Sequence, residues 1–286
     1  MNSEKQKGVA LVLVLLCLAL LASAGSYLIG DDHMAIRRVE NQHDRLQAQY
    51  LAESGLQWAM LVLQKDGESS NTDHLNESWN ALVPPINIEN GIWMAGFKRL
   101  LEITGQSPAL AVSIKDWLDD DASPTGPEGA EDDEYLLGDP PMRTANSFMS
   151  DISELLLVKG IDRVAFEEIS PLVSALPEAG LPININTCSD SLFGIFGRTV
   201  LPIGAGSALA SGRGENGYPS IDDFITATEL ASHGDVAAGF ADVSTTYFLV
   251  NVTSSYGRIT ISSRYLLKRS IEDNVYIDIV RVTSIS

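Results

Sequence analysis

An uncharged run near the start constrains this chain more than any other feature. Val9 to Ile29 reads VALVLVLLCLALLASAGSYLI, 21 positions without a charge. As a helix rising about 1.5 Å per residue it is long enough to cross a hydrocarbon core of about 30 Å, so residues 9–29 are expected to form a transmembrane segment. A cleavable secretory signal is the alternative, because Ala22-Ser23-Ala24 imitates an A-x-A site, although such signals have apolar regions of only about 7 to 15 residues. Lys5 and Lys7 precede the run and Asp31 and Asp32 follow it. The positive-inside rule then leaves the short amino end in the cytoplasm and the rest of the chain in the periplasm, a single-pass inner-membrane arrangement.

Beyond Gly30, apolar Ile36, Val39, Leu46, Tyr50, Leu51 and Trp58 recur at threes and fours among Arg37, Arg38, Glu40, Asp44, Arg45 and Glu53. That spacing predicts an amphipathic helix continuing the span to about Leu63, roughly 80 Å in all, with its second half laying that stripe on a domain. A signal anchor followed by an ordinary first helix of a periplasmic domain fits the same pattern. Residues 65–90 are polar and contain Pro84-Pro85, which reads as a connection.

Aromatic and branched residues over 91–103 predict a strand, and three more are expected near the end. These are Tyr247 to Val252, Arg258 to Ile261 across a turn at Ser254 to Gly257, and Val275 to Val282. Between them, residues 105–242 look helical, with start signals at Ser150 to Glu154, Thr187 to Asp190 and Ser220 to Asp223 and an amphipathic stretch from Arg163 to Leu176. The expected class is α+β: a long amino-terminal helix packed on a small antiparallel sheet, with a large α-helical insertion between the first strand and the rest. The segments are a leader (1–8), the span (9–29), stalk, connection and first strand (30–104), helical insert (105–242) and terminal strands (243–286).

Charge narrows the functions. The 286 residues carry 38 Asp and Glu against 19 Lys and Arg, a formal net charge of −19, which would repel a phosphate backbone and argues against nucleic acid as a partner. Leu181-Pro182-Ile183-Asn184-Ile185-Asn186-Thr187 is similar to the start of a DNA-binding helix-hairpin-helix. The basic neighbours DNA needs are missing, so Asn184 and Asn186 are expected to bond backbone in a turn. His33, His43, His74 and His233 share no spacing with a nucleophile and an acid, and Cys188 reads as a buried thiol, so no catalytic residues are expected.

Ten acids fall between Asp116 and Asp139 with no Lys or Arg among them: Asp116, Asp119, Asp120, Asp121, Glu128, Glu131, Asp132, Asp133, Glu134 and Asp139. Oxygen donors in a Pro- and Gly-containing loop suit Ca²⁺ better than Zn²⁺, and the order does not match an EF-hand. A solvated acidic loop is the competing reading.

Several ordered signatures resemble one family. Lys5-Gln6-Lys7-Gly8 followed directly by Val9-Ala10-Leu11 resembles a type IV prepilin leader. That implies cleavage between Gly8 and Val9 by the prepilin peptidase. The fifth mature position is Leu13 where pilin-like proteins usually carry Glu, a departure typical of K-type pseudopilins. Asp116-Trp117-Leu118-Asp119-Asp120-Asp121 followed by Gly129-Ala130-Glu131-Asp132 and Tyr135 resembles the D-W-I-D-x-D … G-A-E-D-x-Y signature of general secretion pathway protein K. Glu154 to Gly160 and Ile183 to Thr187 are similar to two more of its elements.

The resemblance implies a pilin-like fold and a minor pseudopilin of a Gram-negative type II secretion system. Such a subunit caps the pseudopilus tip and initiates assembly with I- and J-type minor pseudopilins. It also implies calcium in the helical insert, with Asp119, Asp121, Glu131 and Asp132 as ligands and Asp116 and Asp133 in reserve. The implied role is mechanical, not enzymatic. A membrane-anchored, calcium-dependent periplasmic hydrolase is the alternative.

Overall fold

The apolar run and the stalk are one helix. In this computed structural model, which describes residues 3–77, 79, 91–197, 205–227, 239–271 and 274–285, α1 extends from Ser3 to Ser69, 67 residues or about 100 Å. Gly8 and Val9 lie within it, although their side chains are outside the described residues, as is Pro84-Pro85. Leu11 to Leu21 are exposed. Among the described residues no helix is long and apolar enough to cross a membrane.

The face of α1 that packs on the protein is not the expected one. Ile36, Val39, Leu46, Tyr50, Leu51 and Trp58 are all exposed, whereas Ala48, Ala52, Leu56 and Leu63 are buried. Small residues win that face because strands approach it closely. A Cβ on Gly55 would stand 3.1 Å from Val252 Cγ1, and Ser254 Oγ donates to the Ala48 carbonyl at 2.7 Å.

The chain divides into two compact units. Residues 1–58, 251–265 and 282–286 form one, and 59–250 with 266–281 form the other. A three-stranded sheet of β3 (Tyr247–Tyr256), β4 (Ile259–Ile271) and β5 (Val275–Ile285) has the order β3-β4-β5, antiparallel as expected. The β3–β4 hairpin turns at Gly257, whose φ of +56° is the left-handed conformation a tight turn favours. Both strands outrun the short apolar runs that announced them, because Ser and Thr pairs such as Thr253–Ser262 (3.1 Å) and Ser255–Thr260 (3.0 Å) extend the ladder.

In the larger unit, the strand expected over 91–103 is instead an α-helix, α2 (Gly91–Ile103). Trp93, Phe97, Leu100 and Leu101, each at most 2% exposed, recur at i, i+4, i+7 and i+8, one face of a helix. The aromatic content suggested a strand, but the period decides. Helical structure therefore begins before residue 105. It continues through α3 (Leu110–Leu118), α4 (Asp132–Tyr135), α5 (Arg163–Ile169), α6 (Ala205–Ser211) and α7 (Ile221–Ala227). The start signals at Asp151 and Ser220 are real: Asp151 and Glu154 form a capping box opening a short 3₁₀ turn, and Ser220 Oγ accepts from Asp223 N at 3.1 Å. Thr187 to Asp190 opens only a 3₁₀ turn without a side-chain cap. Phe193, Phe196, Phe224 and Phe240 meet at the centre with ring centroids 5.3 to 5.8 Å apart.

A two-residue parallel pair, β1 (Ile183–Asn184) with β2 (Ala241–Asp242), closes the helical part. The Asn184 carboxamide oxygen accepts from Asn186 N at 2.8 Å, the local bond expected. Its amide nitrogen reaches much farther, to Thr245 Oγ1 at 2.8 Å and the Asp73 carbonyl at 3.1 Å. Asn186 clamps the Tyr218 backbone through both N–H and C=O, at 2.7 and 3.0 Å. These asparagines are cross-links between distant segments more than turn formers.

Candidate metal centre

The centre begins on the last turn of α3. Apolar Ala111, Ile114 and Trp117 fix that helix in the core, which carries Asp116 inward with them to zero exposure. Asp119 follows as the helix leaves α geometry, its φ and ψ extended at −73° and 164°. The chain then loops back over Asp116, whose carboxylate accepts from Thr125 N at 3.0 Å and Ala130 N at 3.0 Å. The return requires glycine at 129, since a Cβ there would stand 2.2 Å from Asp116 Oδ2. Ser113 Oγ holds the loop at the Glu128 carbonyl, 2.9 Å away.

This closure delivers Glu131 beside the two aspartates. One carboxylate oxygen from each of Asp116, Asp119 and Glu131 lies within 4.8 Å of the others. Glu131 is only 3% exposed, yet among the described residues neither of its oxygens has a hydrogen-bond partner, and the buried Asp119 Oδ1 also has none there. Burial, reinforced by the charges of Asp116, Asp119, Asp121 and Asp132, pushes the Glu131 carboxyl up to about 7. Behind it, α4 is anchored by Tyr135, whose hydroxyl accepts from Lys159 N at 2.9 Å and whose ring meets Trp117 edge-on at 5.1 Å.

Three of the six expected ligands therefore converge: Asp116, Asp119 and Glu131. Asp121 contributes charge, but its Oδ1 accepts from Ser123 N at 2.7 Å. Asp132 serves a different partner set. It accepts from Thr144 N at 3.0 Å and Thr144 Oγ1 at 3.1 Å and pairs with Arg143. Burial opposes ionisation of its carboxyl, but the Thr144 hydrogen bonds and the Arg143 charge outweigh it and hold the group below the ordinary carboxylate range. Asp133 is exposed in the first turn of α4.

Chemically the three carboxylates fit a hard cation. Calcium–oxygen bonds of about 2.3 to 2.6 Å allow two ligands of one ion to lie up to about 5 Å apart. Buried acceptor oxygens without donors are what such an ion would satisfy.

A second acidic group, Asp66, Asp73 and Glu77, already has its cation. Arg269 donates to both Asp73 oxygens at 2.5 Å and to Asp66 Oδ2 at 2.9 Å. Burial raises the Asp73 pKa even though Arg269 works against it. Sequence reasoning missed this group, because Asp73 and Arg269 stand 196 positions apart. Cys188 is buried, its thiol pushed up to about 12 by burial, and so is a poor nucleophile at neutral pH.

Residues 79–178 match the first-domain model of the family described as Type II secretion system (T2SS), protein K. Type II secretion system protein K of Pseudomonas aeruginosa is 33% identical over 293 residues, covering 88% of this chain and 85% of that one. The protein of the same name from Klebsiella pneumoniae is 26% identical, covering 93% and 94%. A chain in the crystal structure of the GspK-GspI-GspJ complex of the enterotoxigenic Escherichia coli type 2 secretion system superposes with a TM-score of 0.74. That match has 21% identity and covers 87% of this chain and 99% of that one.

Proposed function

The chain belongs to the type II secretion system protein K family and is a minor pseudopilin of that system, and from that premise we propose that it caps the pseudopilus tip as a mechanical part and not an enzyme. In this reading the leader is removed after Gly8 and residues 9–29 anchor the new amino end in the inner membrane. The folded body stands in the periplasm, and I- and J-type minor pseudopilins are its neighbours, as GspI and GspJ are GspK's in the solved complex.

The observation that carries the proposal is the outward face of α1. Val39, Leu46, Tyr50, Leu51, Trp58 and Leu61 are each at least 45% exposed, an apolar stripe left uncovered by the protein itself. Such a stripe suits knobs-into-holes packing with other long helices. Calcium would be held by Asp116, Asp119 and Glu131. Bound there, it supplies charge neutralisation that stiffens the loop and performs no chemistry. Asp116 ties the loop to α3, and Tyr135 ties α4 to the core.

The test is Trp58→Glu with Tyr50→Glu in the full chain, read by co-purification of the I- and J-type partners and by export of a secreted protein. Both are expected to fall at least tenfold while the melting temperature is held. Undiminished assembly would overturn the proposal. Amino-terminal sequencing of the membrane-extracted protein is expected to begin at Val9; a start after Ala24 would refute the anchor.

A further inference from the structure

The acidic centre has a basic side chain built against it. Lys115 precedes Asp116 on the last turn of α3, and its ammonium pairs with Asp119 Oδ2 and donates to Thr125 Oγ1 at 3.0 Å. The pair has the i, i+4 spacing that places two side chains on one helix face. Asp119 is thus divided: Oδ2 faces the ammonium, while the buried Oδ1 has no partner. Among the described residues Glu131 has no comparable cation, and both of its oxygens are buried without donors. The loop's two anchors, Asp119 and Thr125, are joined through this one amine.

We propose that Lys115 is an internal counter-ion of the metal centre, seated on Asp119 when the site holds no ion and swung outward when a divalent cation enters. This rests on the reading that the centre takes calcium. A divalent ion touching Asp119 and an ammonium bonded to the same carboxylate repel each other at close range, inside a partly desolvated loop where repulsion is weakly screened. The amine has somewhere to go. The Lys115 side chain is 30% exposed, and its flexible four-carbon stem lets the charge move into water while the stem stays in place. Lys115 therefore lowers metal affinity, and in return keeps the empty loop assembled by neutralising one of the three converging charges. It is a positioning and affinity-setting residue, not a ligand.

The experiment uses the full chain in detergent, stripped with EGTA and titrated with CaCl₂ by calorimetry, with thermal melts in EGTA and in calcium. Lys115→Met is expected to bind calcium about tenfold more tightly or better. Its melting temperature in EGTA should fall below the wild-type value, which widens the rise on adding calcium. Lys115→Arg keeps the charge and is expected to stay within about twofold of wild-type affinity. Lys115→Gln, with a polar end and no charge, should follow Met. Unchanged or weaker binding by both Met and Gln variants, with folding intact by circular dichroism, would overturn the proposal. If neither wild type nor the variants bind calcium, the underlying calcium reading fails and this inference with it. Binding by the Met variant but not by wild type supports both.

Discussion

Glu131 makes a prediction whose sign depends on whether metal is present. In the metal-free chain its carboxyl titrates near 7 against an ordinary 4.5. A carboxyl whose pKa is raised by folding contributes stability that is fully present below about pH 4.5 and is lost as pH rises through about 7. The difference corresponds to about 3 kcal/mol between pH 4 and pH 8. Glu131→Gln cannot ionise, so it escapes that loss. Both forms present a neutral polar group in the same buried place at pH 4, so they should melt nearly together there. At pH 8 in EGTA the variant should melt higher by about 6 to 12 °C, taking about 2 to 4 °C per kcal/mol for a chain of this size. Titration of all other carboxylates cancels between the two proteins. Adding calcium at pH 8 should reverse the order, raising wild type well above the variant, which lacks one anionic ligand. Differential scanning calorimetry at four pH values, with and without calcium, reads the whole pattern. Parallel wild-type and variant curves in EGTA from pH 4 to 8 would refute the argument, because Glu131 would then be no more buried or crowded than an ordinary surface carboxylate.

Two further predictions concern the scaffold. Arg269→Met strands Asp73 at zero exposure and should cost about 3 to 5 kcal/mol; pairing it with Asp73→Asn should recover at least half, so equal urea midpoints for single and double variants would argue against the pairing. Gly217 has φ of +68°, and a Cβ there would stand 2.6 Å from the Asn186 carboxamide, whereas Gly214, with φ of +60°, has open space. Gly217→Ala should therefore lose about 2 kcal/mol or more and Gly214→Ala only about 1. Equal losses would show that the Asn186 clamp is dispensable.

What could be read from residues alone was whatever depends on neighbours in the chain. Alternation announced β5, and Gly257 lies at the end of the expected turn. The acids spaced from Asp116 to Glu131 marked the metal candidates because the loop that closes them is short. Reading failed where a distant partner decides the outcome. The sequence offers Asp132 as a ligand alongside Glu131, and only the fold reveals that its carboxylate bonds Thr144 and pairs with Arg143. The large apolar residues of α1 looked like its packing face until the sheet took Ala48 and Ala52, since close approach rewards small side chains there. The helix α2 is a different case, since Trp93, Phe97, Leu100 and Leu101 carry the helical period in the sequence itself while the aromatic and branched residues of the same segment favour a strand.

Asp73 has one more implication. Its N–H donates to the Val243 carbonyl at 2.8 Å and its carboxylate accepts from Thr245 N, so the polypeptide leaves for its long helical excursion and returns at adjoining points. Once such a neck is sealed, doubling the length of the excursion costs only about 0.6 kcal/mol of closure entropy. The excursion is thus free to grow, shrink or change its content over evolutionary time, while the strands that follow it keep the same neighbours.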